Sequence, residues 1–425
     1  MQNKELSGRL LVLRQPLVNR SVPALTEIDE NTLLCQRCQM SIAKKIYYLG
    51  SNTFYCPHCL FLGRLTNKDY LWAVPEINAF PKQSAPLVWQ GKLTTQQQIV
   101  AQKLCLAEQN NQDYLVWAVT GSGKTEMLFL VLEQAIKKQK RIALVAPRVD
   151  VCTELYPRLQ QAFAQVSIQL LHGQGAHDYH YTQLLVCTVH QLLKFRQAFD
   201  VLILDECDSY PYANNVLLHR AVEQAVKSTH TIIYLSATPS SEYQQLIHKN
   251  KLAYSILNRR FHGKDLPVPH FYLCSKKNKH QLPVKLVSRL QNLVTTKQRF
   301  LLFVDRILQA EQISQFLQKK LPQLEQTFVH SKDPKRQQKV AAFRKGQRQA
   351  LVTTTVLERG VTFKNIDVIV WQADSQRFDS QSLIQIAGRA GRSSEFSDNK
   401  VSFYATTYNK AIDQAIKTIK KLNHA

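Results

Sequence analysis

The stretch DYLVWAVTGSGKTEM, residues 113–127, constrains the fold more than any other part of this chain. An unbroken apolar run too short to be a helix by itself enters a turn holding two glycines, and an apolar helical pattern follows. A run apolar on both faces reads as a strand buried inside a parallel sheet, which needs crossover helices to cover it. The same sign recurs in RIALVAP, QLLVCTV, DVLILDE and TIIYLSA, each followed by a helical or turn-rich stretch. A second series, FLLFVD, QTFVHS, ALVTTT, DVIVWQA and KVSFYAT, repeats the alternation. Strands alternating with helices predict an α/β fold, here two tandem parallel-sheet lobes. Between the two series lies NRRFHGKDLPVPHF, aperiodic and twice interrupted by proline, which reads as a linker. We expect an N-terminal segment over 1–82, a first lobe over 83–258 and a second over 259–425.

The glycine turn also carries chemistry. Thr120, Gly121, Ser122, Gly123, Lys124 and Thr125 follow the first strand, and a strand–turn–helix of this type gathers backbone N–H groups around phosphates. Lys124 would lie on the terminal phosphates, and the Thr125 hydroxyl would ligate Mg²⁺. Ala118 stands where the usual motif begins with glycine. At VLILDECD, a buried strand ends in Asp205 and Glu206, which puts two carboxylates at the carboxyl edge of the sheet, where open α/β folds bind ligands. Asp205 is placed on the Mg²⁺ and Glu206 on the attacking water.

Cys35, Cys38, Cys56 and Cys59 form two CxxC pairs separated by 17 residues. That spacing predicts a four-cysteine zinc ribbon at about 33–62, with a hairpin turn near Gly50, Ser51 and Asn52. Four thiolates leave no open coordination position, so the zinc would be structural. Tyr47, Tyr48, Phe54 and Tyr55 either stack on bases or fill the core of this small domain, the latter being favoured. Cys105, Cys152, Cys187, Cys207 and Cys274 read as buried free thiols.

Charge narrows the partner. Lys and Arg number 55 against 31 acids, a net charge of +24, which points to a polyanion, with nucleic acid ahead of an anionic membrane. From Lys276 to Arg348 there are 17 basic residues against Asp305, Glu311, Glu325 and Asp333. No run approaches the roughly 20 apolar residues that span a bilayer, so a cytoplasmic protein is expected, with room for a peripheral position at the inner membrane face. The basic, amphipathic KAIDQAIKTIKKL near the end is expected to pack on the second lobe.

From LTTQQQ to about residue 406, these motifs and their order resemble superfamily-2 helicases and translocases. The resemblance implies two RecA-like lobes and an ATP hydrolase. It puts adenine against Leu93, Thr94 and Gln97. It assigns Pro147 and Arg148 of APRVDVCTEL, and Thr188 and His190 of TVHQLLKF, to the nucleic-acid backbone, and Ser236 to Thr238 to the coupling of hydrolysis to lobe movement. In the second lobe, TTTVLERGVTF with Thr354 and Gly360 resembles the motif touching nucleotide and strand, and His330 joins the nucleic-acid set. QIAGRAGR supplies Gln385, Gly388, Arg389 and Arg392. The two arginines would stabilise the charge that develops on the transferred phosphoryl group, a contribution of about 10³ to 10⁵ in rate. The ribbon ahead of the lobes, with DECDSYPYANN, RRFHGKDLPVP and QIAGRAGRS, further resembles the ComFA family of bacterial competence. That implies a single-stranded DNA motor working with other competence proteins at the inner face of the membrane, with DSYPYANN close to the strand. A PriA-like restart helicase is the alternative, although PriA carries its cysteines between the lobes. A zinc-dependent DNA-binding scaffold with nucleotide as a switch is the alternative of another class.

Overall fold

The computed structural model describes residues 4–173, 179–275, 282–392 and 398–424. Lys276, Lys277 and Lys279 of the basic region therefore lie outside the described residues. The chain divides by packing into two units, Met1–Trp117 with Lys124–Ile256, and Leu257–Ala425 with Ala118–Gly123.

The first unit begins with two small antiparallel sheets. One is built from β1 (Leu10–Leu13), β2 (Val22–Pro23) and β6 (Tyr70–Ala73), with β6 central; the other from β3 (Leu25–Asp29), β4 (Thr32–Cys35) and β5 (Ser41–Ala43). The expected turn is present: Leu49 N–H donates to the Thr53 carbonyl at 2.8 Å, and Gly50, Ser51 and Asn52 all take positive φ. The cysteine-bearing segment is continuous with the larger core beneath it, where Cys35, Cys56, Leu33 and Ile42 join Leu192, Phe195 and Ala198 in one apolar cluster. Tyr47 and Phe54 pack against that cluster while Tyr48 is 53% exposed, so two of the four aromatic residues serve the core. Two arginines fasten the segment from below: Arg196 donates to the Gln36 carbonyl at 2.7 Å and Arg220 to that of Gln39. A fully buried pair, Arg141 with Glu76, secures the N-terminal strands in turn, and Arg141 also donates to the Ser7 carbonyl at 2.9 Å.

Next come α1 (Thr95–Asn110), α2 (Lys124–Met127), α3 (Phe129–Lys137), α4 (Val149–Ala162), α5 (Val216–Ala225) and α6 (Ser241–His248) around a seven-stranded sheet. Its strands are β7 (Tyr114–Ala118), β8 (Ile142–Ala146), β9 (Ile168–Leu171), β10 (Leu184–Thr188), β11 (Phe199–Leu204), β12 (Val226–Ser236) and β13 (Ala253–Leu257), in the order β13-β7-β12-β11-β8-β10-β9. Every pair from β7 to β9 is parallel. Parallel pairing needs both faces covered, which explains why β8 and β10 are buried at every position.

The second unit repeats the plan with β14 (His270–Leu273), β15 (Arg299–Phe303), β16 (Gln326–Val329), β17 (Ala350–Thr353), β18 (Ile366–Trp371) and β19 (Val401–Ala405), all parallel, in the order β14-β19-β18-β15-β17-β16. Successive residues of β15 face opposite ways: Leu301 and Phe303 join one core, Phe300 and Leu302 the other. The helices α7 (Val284–Thr295) and α8 (Ile307–Lys320) cover the second core, while α10 (Ser380–Ala387) and α11 (Lys410–His424) cover the first; α9 (Arg336–Arg344) buries Val340 and Phe343. As expected, the basic C-terminal helix packs on this unit, burying Ile412, Ala415, Ile419 and Leu422.

Candidate nucleotide site and cysteine cluster

Strand register brings the ends of the first unit's strands to one sheet edge. Trp117 of β7 pairs with Ser236 of β12, Tyr234 of β12 with Leu204 of β11, Leu204 with Val145 of β8, and Ala146 with Thr188 of β10. The chain therefore leaves β7 toward the glycine turn, β11 toward Asp205, β12 toward Thr238, β8 toward Pro147 and β10 toward His190 along one line. Two strand spacings, about 10 Å, separate the glycine-turn strand from the carboxylate strand.

In the turn, Gly121 and Gly123 have φ of +82° and +73°, a conformation that side chains oppose and that lets successive N–H groups face one concavity. Lys124 and Thr125 then open α2. At the end of β11, Asp205 is nearly buried and accepts from the Glu206 N–H at 2.9 Å. Glu206 itself is left-handed at φ +54°, at a cost of about 1–2 kcal/mol. The Ser209 N–H, donating to the Glu206 carbonyl at 2.8 Å, helps to hold it there. Thr238 donates from Oγ1 to Asp208 at 2.6 Å, joining SAT to DECD. Cys207 is buried between them, and burial, then the charges of Asp208 and Asp205, push its thiol well above the ordinary range, so it is inert.

The remaining first-unit residues lie along the helix starts and strand ends. Gln97 is the third residue of α1 and closes a capping box with Thr94, its side-chain oxygen accepting from the Thr94 N–H at 2.8 Å. Leu93 is half-buried just before that cap, Pro147 is buried, and Arg148 is the N-cap of α4. Thr188 is buried, whereas His190 meets the edge of Phe61 at 5.1 Å; burial lowers its pKa. Sequence reasoning treated His190 and the cysteine segment separately, and the structure puts them in contact.

In the second unit, Phe303 and Val329 both pair with Thr353, so His330 and Thr354 follow neighbouring strand ends. Gly360 turns at φ +72°, and Gln385 is buried in α10. Arg389 is buried as well and donates to the Glu358 carbonyl at 2.6 and 2.9 Å and to that of Val361. It thereby fixes the backbone around Gly360. Arg392 is half-buried and donates to the Gly388 carbonyl at 3.1 Å and to Thr362 Oγ1 at 3.0 Å. The two arginines assigned to the phosphoryl group thus have unequal surroundings, with Arg389 the more deeply committed to its own unit. A side chain at Gly388 would collide with Thr120 of the glycine turn. Sequence reasoning missed Arg260: only 2% exposed, it donates to the carbonyls of Gly388, Ala390 and Gly391.

The four cysteines converge. Their sulfurs lie within 4.8 Å of one another, all buried, with separations of 3.8 Å for Cys35–Cys59, 3.6 Å for Cys38–Cys56 and 3.4 Å for Cys56–Cys59. A tetrahedral zinc with Zn–S of about 2.3 Å needs sulfurs about 3.8 Å apart, so the donor set fits. Arg37, buried beside it, donates to Cys59 Sγ from Nε at 3.2 Å and Nη2 at 3.1 Å, and to the carbonyls of Cys59 and Gly63. Hydrogen bonding with the other three sulfurs, helped by the Arg37 charge, drives the Cys59 pKa far down.

Comparison with known proteins agrees with this layout. Residues 90–241 match the family described as type III restriction enzyme, res subunit, and residues 284–394 match the helicase conserved C-terminal domain. Competence protein ComFA of Streptococcus pneumoniae is 40% identical over 430 residues, covering 99% of this chain and 98% of the relative. The chain belongs to the ComFA family. ComFA of Bacillus subtilis is 35% identical, over 93% of this chain and 87% of its own length. The replication restart protein PriA of Haemophilus influenzae is 24% identical over 56% of this chain and 38% of its own length. Among solved structures, Saccharomyces cerevisiae Dbp5 bound to RNA and ADP BeF3 superposes with a TM-score of 0.60 at 19% identity, covering 78% of this chain and 88% of that one. This member of the family therefore has the two RecA-like lobes of a superfamily-2 helicase and a helicase-type enzyme architecture, preceded by the cysteine cluster. Among the described residues no helix is long and apolar enough to cross a membrane.

Proposed function

We propose that this chain is an ATP-driven translocase on single-stranded DNA, acting in DNA uptake during competence at the cytoplasmic face of the membrane alongside other competence proteins. The observation that carries the reading is the single sheet edge at which the strands ending in Ala118, Leu204 and Ser236 deliver the glycine turn, the Asp205–Glu206 pair and Thr238. The turn amides and Lys124 would hold the phosphates of ATP, and Thr125 with Asp205 would hold Mg²⁺, which supplies Lewis-acid stabilisation of phosphoryl oxygens. Glu206 would orient the attacking water, and its left-handed backbone is the kind of strain found where a side chain must be aimed. Gln97 at the start of α1 suits an adenine contact, with Leu93 beside it. Of the two arginines, Arg392 would serve the phosphoryl group, while Arg389 would order the turn at Gly360. Zinc on Cys35, Cys38, Cys56 and Cys59 would stabilise the ribbon. DNA would follow the strand ends at Arg148, Thr188 and His190 and those at His330 and Thr354.

The test is ATPase activity with and without single-stranded DNA, with translocation followed on strands of fixed polarity and RNA as control. Lys124→Ala and Glu206→Gln should abolish turnover, with DNA binding intact. An ATPase rate indifferent to DNA, or full function in Lys124→Ala, would refute the motor. Efficient unwinding of a forked duplex would favour a restart-type helicase.

A further inference from the structure

Arg260 stands in the segment that joins β13 to β14, which the sequence marks as a linker without assigning this residue a role. Its guanidinium is almost wholly buried, at 2% exposure. Nη1 donates to the Ala390 carbonyl at 2.7 Å and to that of Gly391, and Nη2 to the Gly388 carbonyl at 3.3 Å; Nε is buried with no hydrogen-bond partner. Among the described residues no carboxylate pairs with it, and the charge that acts on it is another cation, Arg392. Carbonyl oxygens satisfy N–H groups but carry no net charge, whereas buried charges in proteins are ordinarily paired. Burial and the Arg392 charge accordingly push the Arg260 pKa down to about 9.

The surroundings point to an anion. Arg260 lies against the glycine turn within the same packing unit: a Cβ placed on Gly121 would sit 3.7 Å from Arg260 Cγ and 3.8 Å from Nε, and the Phe261 N–H donates to the Gly121 carbonyl at 3.1 Å. An uncompensated guanidinium thus adjoins the glycine turn, whose positive-φ conformation suits phosphate. Its other contacts are the carbonyls of the segment that carries Arg389 and Arg392.

We propose that Arg260 is the nucleotide-sensing residue of the linker: it takes an oxygen of the bound polyphosphate as its counter-ion and, in doing so, releases carbonyls of Gly388, Ala390 and Gly391, freeing the arginine-bearing segment to move. Arg260 is on this view a nucleotide-contacting residue, and the inference rests on the nucleotide reading above.

The experiment uses the full chain with Mg²⁺ and ATPγS, comparing wild type, Arg260→Gln, Arg260→Lys and Lys124→Ala by nucleotide affinity and by amide hydrogen exchange across 386–392. Loss of a charge-assisted contact should weaken ATPγS binding by Arg260→Gln about ten- to a hundredfold. In the wild type, ATPγS should raise exchange across 386–392, and in Arg260→Gln it should not. Arg260→Lys keeps the charge but not the fork, so it should bind ATPγS nearly as the wild type does and show raised exchange before nucleotide is added. It also serves if Arg260→Gln fails to fold. A purely structural clamp would lower thermal stability while leaving affinity and the exchange response intact, and that result overturns the proposal. If the wild type binds and Lys124→Ala does not, yet Arg260→Gln binds normally, Arg260 alone is refuted; if the wild type binds no nucleotide, both readings fall.

Discussion

Thr238 Oγ1 donates to Asp208 Oδ2 across 2.6 Å, and both residues are buried at the ends of adjacent strands. Asp208 is two residues beyond Glu206, whose carbonyl accepts from Ser209, and the Thr238 N–H is fixed by Ser236 Oγ at 3.0 Å. A displacement of the segment after β12 therefore reaches the carboxylate turn through one hydrogen bond. Thr238→Val keeps the volume and removes the donor. It leaves a buried carboxylate oxygen short of a partner, at about 1–3 kcal/mol. The expected outcome is nucleotide affinity near that of the wild type with DNA-stimulated turnover reduced about tenfold or more. Equal stimulated rates in the two proteins would show that this bond transmits nothing.

Arg37 poses a question of metal retention. A zinc site of four thiolates carries two excess negative charges, and the guanidinium donates to Cys59 Sγ from two nitrogens while bridging the carbonyls of Cys59 and Gly63. Outer-shell partners of this kind are worth about 10- to 100-fold in metal affinity. Arg37→Met, which keeps much of the apolar stem, should lose zinc to a competing chelator at a correspondingly lower concentration. Stoichiometric zinc released no more readily than from the wild type would remove Arg37 from the site's support.

The two lobes, the ribbon and the nucleotide motifs were legible because their signals are local. A buried parallel strand must be apolar throughout, a phosphate turn needs glycines at fixed offsets, and a CxxC pair is a knuckle whatever surrounds it. Arg260, Arg37 and the buried Arg141–Glu76 pair were not legible. Each is one arginine in ordinary-looking sequence, and two of the three reach across the chain, from 260 to 390 and from 141 to 76. Arg389 shows the limit from the other side: its motif identifies the residue but says nothing of the Glu358 and Val361 carbonyls that hold its guanidinium. Local pattern fixes which side chains a strand end presents, whereas partners chosen by tertiary packing leave no spacing to read.

Glu108 supplies a pH-dependent test of how the helices around the glycine turn are secured. It sits near the end of α1, fully buried, with Lys138 at 2.7 Å, Lys140 and Gln134 as partners. Burial alone would raise its pKa, but the hydrogen bonds from Lys138, Lys140 and Gln134 and the Lys140 charge prevail and hold it below the ordinary value of 4.5. A carboxylate whose folded pKa is depressed contributes stability that is complete above its unfolded pKa and is lost as pH falls through the folded one. Glu108→Gln should therefore destabilise the protein by about 1–3 kcal/mol at pH 7. In urea melts the gap to the wild type should narrow once the pH drops below 4.5. A gap independent of pH would mean that packing, not charge, makes the contribution.

Tyr210 tests whether the loop after the carboxylate pair meets DNA. It is 79% exposed, although its neighbours Ser209 and Tyr212 are buried. Tyr210 lines an open depression of about 400 Å³ together with His58 and Met40 of the cysteine segment and Asn214 and Asn215 of the loop. An aromatic face, a histidine and two amides are groups suited to a nucleobase, and stacking on one aromatic ring is worth about 1–3 kcal/mol per base. Tyr210→Ala should weaken binding of a labelled oligo-dT by about 5- to 150-fold in anisotropy titrations, and Tyr210→Trp should restore it. ATPase activity without DNA should be unaltered, because the ring is 79% exposed. Equal oligonucleotide affinity in Tyr210→Ala and the wild type would put the DNA path elsewhere on this unit.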